Sequence, residues 1–263
     1  MRMNAPRRLG MILLGVVFAA GTAVADRVFM KDGSVLEAVS VRYRASSQEY
    51  IVQTQQATLP IPASRVDRVE VPKPPALDQA MADIRAGKYD AAIPVLEKIV
   101  QEYQRLEWDN QARDGLGMAY LGKRDFRKAL AMYREMMEGM PAERIPLAVR
   151  RRYWQALQGA EQYALLKREL DEAIAKAPRD VAAMAQLMRG DMYAAQGQKN
   201  EALLDYLRTV ILYEKEKESR PEALFKAARM LEELRDPRAA DLRKMLTNEF
   251  PNHPYARQAT AGS

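Results

Sequence analysis

The sequence has 263 residues, of which 48% are hydrophobic, with one histidine and no cysteine. Its formal net charge is +6, from 41 basic and 35 acidic residues. The absence of cysteine excludes a disulfide framework and a lipid-modified cysteine, and the single histidine argues against zinc sites and against nucleophilic sites that need a Cys-His or Ser-His pair.

The first 25 residues predict a secretory signal peptide. Three arginines lie within the first eight residues, the apolar run LGMILLGVVFAA follows over 9–20, and TAVA places small residues before a cleavage site at about Ala25/Asp26. An uncleaved membrane anchor is the alternative, but about 12–16 apolar residues fall short of the roughly 20 that span a bilayer. We therefore expect an exported protein, periplasmic or secreted, with 38 basic and 35 acidic residues left after cleavage.

Residues 26–71 have the pattern of short strands, about five in all. The dipeptide Asp32-Gly33 lies between two apolar runs, which is a strong hairpin signal. The run VLEAVSVRY that follows predicts one strand with its apolar side chains on a single face. These side chains are Val35, Val39, Val41 and Tyr43. The strand–KDG–strand opening and the ending IPASRVDRVEV resemble the SH3-like or Sm-like barrels at the start of some bacterial envelope proteins, which implies a small all-β barrel or curled sheet.

A proline-rich linker is predicted at 72–76, within the segment VPKPPA. Three prolines in four positions form a short, semi-rigid spacer. Beyond it the chain is rich in Ala, Leu, Glu, Arg and Lys with helical periodicity. We predict a helical domain over 77–256 and a disordered tail over 257–263.

The helical stretch ARDGLGMAYLGKRDFRKALAMYREMMEGMP, at 112–141, carries the pattern of a known repeat. That pattern is W-x2-L-G-x2-Y, then A-x3-F, then P. The tryptophan position departs from it, being Arg113. Six positions agree, namely Leu116, Gly117, Tyr120, Ala129, Tyr133 and Pro141. The segment therefore resembles a tetratricopeptide repeat (TPR).

Related segments recur every 36–37 residues or so, and the copy around Trp154 is degenerate. The predicted fold is mainly α, a TPR-like α-solenoid of about five helix pairs preceded by the small β domain. A helical bundle without repeats is the alternative. The residues assigned to packing within and between repeats are Gly117, Tyr120, Ala129, Tyr133, Gly190, Tyr193 and Ala202.

The small residues are predicted where two helix backbones approach most closely, the glycine of the first helix facing the alanine of the second. Glycine in a helix costs about 0.5–1 kcal/mol relative to alanine. A larger side chain at the contact would cost about 1–3 kcal/mol through overpacking. Close packing therefore accounts for the glycines.

The TPR resemblance implies that the first helices of the pairs line a concave groove that binds a peptide or a partner helix. The positions carried over are Gln111, Asp114, Met118, Leu121, Arg151, Gln155, Gln158, Met184, Leu187 and Asp191. Arg151, within RRRYW at 150–154, would point into this groove and suit an acidic peptide or a C-terminal carboxylate. A solvated basic face beside a buried Trp154 is the alternative.

No residue pattern for catalysis stands out. Phosphate-loop, dinucleotide, nucleophile-elbow and metalloprotease motifs are missing from the sequence. The acidic runs at 214–220 and 231–234 fit solvated helix faces better than paired catalytic carboxylates, RGD at 189–191 falls inside a predicted helix, and His253 is expected to end the last one. We predict no enzyme, no cofactor, no metal and, because charges of both signs are interleaved, no nucleic-acid partner.

The leading functional hypothesis is a scaffold of the bacterial cell envelope that binds a protein or peptide in the groove. Exported tetratricopeptide proteins of Gram-negative envelopes resemble this plan. A second hypothesis is a peptidoglycan- or glycan-binding module that uses Tyr43 and Tyr50 of the β domain as stacking surfaces. A third is a self-assembling structural component, because repeats without polar caps can stack end to end.

Overall fold

A computed structural model of the protein describes residues 26–138 and 140–261, so the predicted signal peptide at 1–25 lies outside the described residues. The chain divides into two compact units between Pro72 and Lys73. Within the described ranges the first unit has six strands and the second has eleven α-helices. No helix in those ranges combines the length and the apolar character needed to cross a bilayer.

The β unit contains two three-stranded antiparallel sheets, in the orders β2-β1-β6 and β3-β4-β5. The strands are β1 (Asp26–Met30), β2 (Val35–Ala38), β3 (Ser40–Arg44), β4 (Glu49–Gln53), β5 (Thr58–Pro62) and β6 (Val66–Glu70). Both sheets contribute to the buried apolar core, which includes Val28, Val41, Val52, Ile61 and Val69.

The predicted single strand VLEAVSVRY is divided at Val39 into β2 and β3. The Val39 N–H donates to the Gln53 carbonyl at 2.7 Å, so this residue already belongs to the second sheet. Val35 and Val39 are 49% and 62% exposed, whereas Val41 is buried. The predicted one-sided alternation is therefore wrong, because the bend changes which side chains face the core.

The predicted hairpin turn at Asp32-Gly33 is confirmed. Gly33 has a φ of +87°, which glycine adopts without strain, and the Met30 N–H donates to the Ser34 carbonyl at 2.9 Å. The Asp32 carboxylate accepts hydrogen bonds from the Ser34 hydroxyl and N–H, which lower its pKa. This local bonding fixes the turn between β1 and β2.

The helices of the second unit pack as five consecutive pairs followed by one further helix. Each helix contacts the next along the chain, and the first helices of neighbouring pairs also contact each other. The helices are α1 (Pro75–Arg85), α2 (Tyr89–Glu102), α3 (Trp108–Gly122), α4 (Phe126–Met137), α5 (Leu147–Gly159), α6 (Tyr163–Lys176), α7 (Arg179–Ala195), α8 (Lys199–Leu212), α9 (Arg220–Glu233), α10 (Ala239–Glu249) and α11 (Pro254–Ala261).

The small residues of the first helices make room for aromatic rings. A Cβ added at Gly117 would lie 2.7 Å from the hydroxyl oxygen of Tyr133, and one added at Gly190 would lie 2.6 Å from Cε1 of Tyr206. Close packing at these glycines is thus confirmed, but the nearest neighbour of each glycine is a tyrosine ring and not the backbone of the expected alanine. At Gly190 the Ala202 carbonyl lies farther away, at 3.3 Å.

The third pair reverses this arrangement of small and large residues. Gly117 and Tyr133 are sixteen residues apart, and so are Gly190 and Tyr206. At the equivalent positions the third pair has Trp154 and Leu170, which are 2% and 0% exposed. The third pair therefore has its large residue on the first helix and its smaller one on the second, the reverse of the second and fourth pairs.

The ends of the helical unit differ from prediction. Helix α1 starts at Pro75, inside the predicted linker, because proline is tolerated in the first turn of a helix. The predicted disordered tail is wrong for 257–261, since α11 continues to Ala261 and buries Ala259 against the core. His253 precedes this helix, and its Nδ1 accepts from the N–H of Tyr255 at 3.3 Å.

Helix α11 also bears on the self-assembly hypothesis. It packs on α9 and α10, so the fifth pair does not form the end of the array. Its side chains at Arg257, Gln258 and Thr260 are exposed. A polar helix in this place is typical of the capping element that keeps repeat arrays from stacking end to end.

Candidate functional site

The predicted groove residues lie on α3, α5 and α7, the first helices of three successive pairs. We call the surface formed by α1, α3, α5, α7 and α9 the A-helix face. Neighbouring helices of this set pack side by side, as α1–α3, α3–α5 and α5–α7 do. The structure thereby brings the predicted residues of α5 and α7 together, while those of α3 lie one helix farther along.

A cleft of about 560 Å³ opens on this face between the C-terminal halves of α5 and α7. It includes three of the predicted groove residues, namely Gln155, Gln158 and Asp191. Its other lining residues are Arg124, Phe126, Gly159, Glu161, Tyr163, Met188, Ala194, Ala195 and Tyr206. Sequence reasoning did not select Phe126 or Tyr163, which begin the second helices α4 and α6.

The amides of Gln155 and Gln158 are available to a ligand. Both side chains are half-buried, and within 26–138 and 140–261 neither makes a hydrogen bond. A primary amide offers two donors and an acceptor. The cleft therefore presents unengaged hydrogen-bonding groups beside the aromatic rings of Phe126 and Tyr163.

Asp191, which lines the cleft, is one end of a chain of ion pairs that connects three helices. We call this chain the strap. It consists of Arg151 on α5, Glu222 and Lys226 on α9, and Asp191 on α7. Arg151 donates to Glu222 at 2.6 Å, Glu222 pairs with Lys226 at 2.6 Å, and Lys226 donates to both oxygens of Asp191 at 2.7 Å. Two positive and two negative charges are thus matched.

Glu222 and Lys226 of the strap keep their charges although both are removed from solvent. Burial alone would raise the pKa of Glu222, but the charges of Lys226 and Arg151 outweigh it and hold that pKa below its usual value. Burial would likewise lower the pKa of Lys226, and the carboxylates of Asp191 and Glu222 raise it instead. The Glu222–Lys226 ion pair is therefore present at neutral pH.

Two predicted groove residues are inaccessible. Met184 and Leu187 are 2% and 0% exposed, within a run at 181–188 in which every residue is buried. Their assignment to an open groove is wrong in this structure. Both side chains belong to the hydrophobic core of the helical unit, which is why neither faces an open groove.

The basic segment RRRYW is engaged inside the protein. Arg151 belongs to the strap, Arg152 pairs with Asp114 at 2.7 and 2.9 Å, and Arg150 donates to the Ala142 carbonyl at 2.7 Å. The prediction of a free arginine aimed into the groove is therefore corrected. Asp114 is paired with Arg152, so neither Asp114 nor Arg152 has a charge that is free to bind a ligand.

The remaining predicted residues divide by burial. Gln111 is exposed, whereas Met118 and Leu121 are half-buried and pack against the core. The residues assigned to repeat packing are buried, except that Tyr193 is half-buried and also packs on the core.

Sequence reasoning missed Glu222 and Lys226, although their spacing of four residues marks a helical ion pair. Their role depends on contacts with α5 and α7, which are distant in the sequence. The RGD segment is engaged internally too, since Arg189 pairs with Asp205 and Asp191 belongs to the strap.

The β unit gives little support to glycan stacking. Tyr50 is only 9% exposed, and its ring lies edge-on to that of Tyr43 with the centroids 5.2 Å apart. A buried ring cannot present a face to a sugar. Among the described residues, no group of three or more His, Asp or Glu side chains is placed to hold a metal ion.

A comparison with solved structures identifies the architecture of the helical unit. A crystal structure of nearly identical TPR-like repeats of a kinesin light chain from Podosopora anserina superposes with a TM-score of 0.51 and 18% sequence identity. The match covers 65% of this chain and 91% of the other. The helical unit has a TPR-like repeat fold. No family model matches the chain, and no curated protein matches it either.

At this level of identity the comparison establishes the fold alone. The specific partner has to be argued from the residues of the cleft.

Proposed function

We propose that this protein is a non-enzymatic scaffold that holds an extended peptide segment of a partner protein in the α5–α7 cleft. The observation that carries the proposal is the pair of unengaged amides of Gln155 and Gln158 in a cleft of 560 Å³. A side-chain amide donates and accepts at once, as a peptide group does, so the two are complementary. The TPR-like fold supports the proposal, since stacked helix pairs commonly present extended binding surfaces.

The peptide is proposed to be uncharged where it enters the cleft. An acidic peptide fitted the sequence pattern, but Arg151 and Arg152 are each paired with a carboxylate. An acidic group on the ligand would pair with Arg151 only by displacing the buried Glu222, or with Arg152 only by displacing the half-buried Asp114. The charged cleft residues without an ion pair among the described residues are Arg124 and Glu161, which have opposite signs.

We further propose that the scaffold works outside the cytoplasm, in a bacterial cell envelope. The support is the basic and apolar pattern of residues 1–25 and the TAVA motif before Asp26. Protein recovered from the producing cells is expected to begin at Asp26 on N-terminal sequencing. A product that retains residues 1–25 would contradict the signal-peptide assignment.

The cleft is tested with peptides selected from a random displayed library against the full chain. Replacing both amides, as Gln155→Ala with Gln158→Ala, is expected to weaken binding about tenfold, because about 1.4 kcal/mol of hydrogen bonding is lost. Fluorescence anisotropy with a labelled peptide measures the change in Kd.

The matched control removes two glutamines elsewhere in the helical unit. Gln101 and Gln196 are exposed and lie outside the cleft, so Gln101→Ala with Gln196→Ala should leave Kd unchanged. Equal weakening in both double variants, or none in the first, would overturn the assignment of the cleft.

A further inference from the structure

A second cavity of the helical unit, of about 760 Å³, is larger than the α5–α7 cleft. We call it the α5–α6 pocket, because it lies between the first half of α5 and the second half of α6, next to the segment 142–146 and the start of α7. It shares no lining residue with the cleft. Its volume is within the range of about 300–1,000 Å³ that is usual for small-molecule sites.

The charged side chains of the α5–α6 pocket differ in their burial. Four basic and four acidic residues line it, and six of these eight are exposed. The two that are half-buried are Arg150 on α5 and Glu169 on α6. Within 26–138 and 140–261 neither forms a salt bridge, with the other or with a third residue. A charge that is partly removed from water without a counter-charge is unfavourable, so each favours a ligand group of opposite sign.

The guanidinium of Arg150 is hydrogen-bonded to a neutral group. Its Nη2 donates to the Ala142 carbonyl at 2.7 Å, and its buried Nε has no acceptor in the part of the chain that the structure describes. The positive charge therefore has no anionic partner. A carboxylate is the ligand group that suits it best, since hydrogen bonds between ionised groups are about twice as strong as neutral ones.

The carboxylate of Glu169 is held by two neutral donors. The Tyr153 hydroxyl donates to one oxygen at 2.9 Å, and Nε1 of Trp154 donates to the other at 3.3 Å. The exposed Arg134 hydrogen-bonds to the Tyr153 hydroxyl rather than to this carboxylate. A carboxylate can accept about four hydrogen bonds, so Glu169 has a fixed position and spare capacity for an ammonium group.

Apolar side chains complete the pocket. Trp154 and Val181 are buried and Ile145 and Leu147 are half-buried, and all four line it. A ligand that matches this lining has an apolar body and one charge of each sign. A single amino acid would leave much of the 760 Å³ unfilled, which favours a short peptide.

We propose that the α5–α6 pocket binds a short apolar peptide with free termini. The terminal ammonium group binds Glu169 and the terminal carboxylate binds Arg150, while the side chains contact the apolar lining. This inference goes beyond the proposed function, because an internal segment of a partner protein has no terminal charges to offer.

The contacts are tested first on the unchanged full chain. The probes are the tripeptide Leu-Ala-Leu with free termini, an N-acetylated form and a C-amidated form. Isothermal titration calorimetry is expected to give a measurable Kd for the free form and to show about tenfold or greater weakening by either block, because each removes one charged contact. No binding of the free form at about 1 mM, or equal binding of all three forms, would overturn the inference.

Two variants then assign each terminus to its residue. Glu169→Gln should weaken the free form about tenfold or more and leave the N-acetylated form nearly unchanged, since that form has no ammonium group to lose. Arg150→Gln should likewise weaken the free form but spare the C-amidated one. A loss of structure would weaken all forms alike, so equal weakening in either variant would overturn the assigned contact.

The controls remove the same charges elsewhere. Arg127 on α4 and Glu201 on α8 are exposed and lie outside the pocket, so Arg127→Gln and Glu201→Gln should leave the Kd of the free tripeptide unchanged. The double variant Gln155→Ala with Gln158→Ala, which tests the cleft, should leave it unchanged as well. Weakening in that double variant would place the tripeptide in the cleft and overturn the second site, so the two proposals can fail independently.

Discussion

Replacing Asp205 with asparagine is expected to lower the stability of the helical unit by about 3–5 kcal/mol, the typical loss when one partner of a buried ion pair is removed. Asp205 is 1% exposed and accepts from Arg189 at 2.7 and 2.9 Å, from Arg208 at 3.1 Å and from Gln186. Asparagine has nearly the same volume as aspartate but no charge, so the positive charges of Arg189 and Arg208 would lose their negative partner. Thermal unfolding followed by circular dichroism should show a fall of about 6–20 °C.

The control for this result is an ion pair that joins α8 to α9 and lies in solvent. Lys199 and Glu233 are 2.8 Å apart, with side chains 53% and 47% exposed. Exposed pairs contribute little to stability, so Glu233→Gln should leave the melting temperature essentially unchanged. Equal losses in Asp205→Asn and Glu233→Gln would mean that burial of the Asp205 cluster is not what stabilises the α7–α8 contact.

Replacing Gly117 with leucine is expected to be the second most damaging change. The new Cβ would lie 2.8 Å from Cε1 of Tyr133, whose ring is fully buried and cannot move aside. Overpacking of this kind costs about 1–3 kcal/mol, which is about 2–12 °C in melting temperature for a unit of this size. The melting temperature by circular dichroism measures it.

Two further variants separate overpacking from a general effect of leucine. Ala131 is exposed on α4, so Ala131→Leu should leave the melting temperature nearly unchanged. Adding Tyr133→Leu to Gly117→Leu should restore part of the loss, because the third pair has Leu170 at that position. A double variant that is less stable than Gly117→Leu would contradict the explanation that the new leucine and the Tyr133 ring compete for the same space.

The repeat fold could be predicted because its signals are local. Leu116, Gly117 and Tyr120 lie within one helix, and their spacing is visible in the sequence. The reason for the glycine was only partly foreseen. A backbone contact with alanine was expected, whereas the structure places the Tyr133 ring against Gly117. Which side chain fills a gap depends on rotamers, which the spacing does not encode.

The strap could not be predicted for a different reason. Glu222 follows an acidic and basic run that fits a solvated helix face, yet it is 3% exposed. Its burial depends on Arg151, 71 residues away, and on the packing of α5, α7 and α9. The periodic pattern identified the helices and their repeat, but it gave no information about contacts that skip a whole pair.

The β unit shows the same limit on a smaller scale. The hairpin at Asp32-Gly33 depends on two adjacent residues and was predicted correctly. The change of face at Val39 depends on a hydrogen bond to Gln53 in another strand. Alternation in the sequence continues through Val39, so the bend left no trace in the pattern.

The reversal of large and small residues at Trp154 and Leu170 has a consequence for recombination between repeats. A crossover between the two helices of a pair would join Trp154 to a tyrosine or Gly117 to a leucine, so that one product would be overfilled and the other would contain a hole. A crossover between pairs keeps these partners together but separates Gly122 from Tyr89 or Gly159 from Phe126, which are equally close. Neither the single helix nor the hairpin is therefore freely exchangeable in this array.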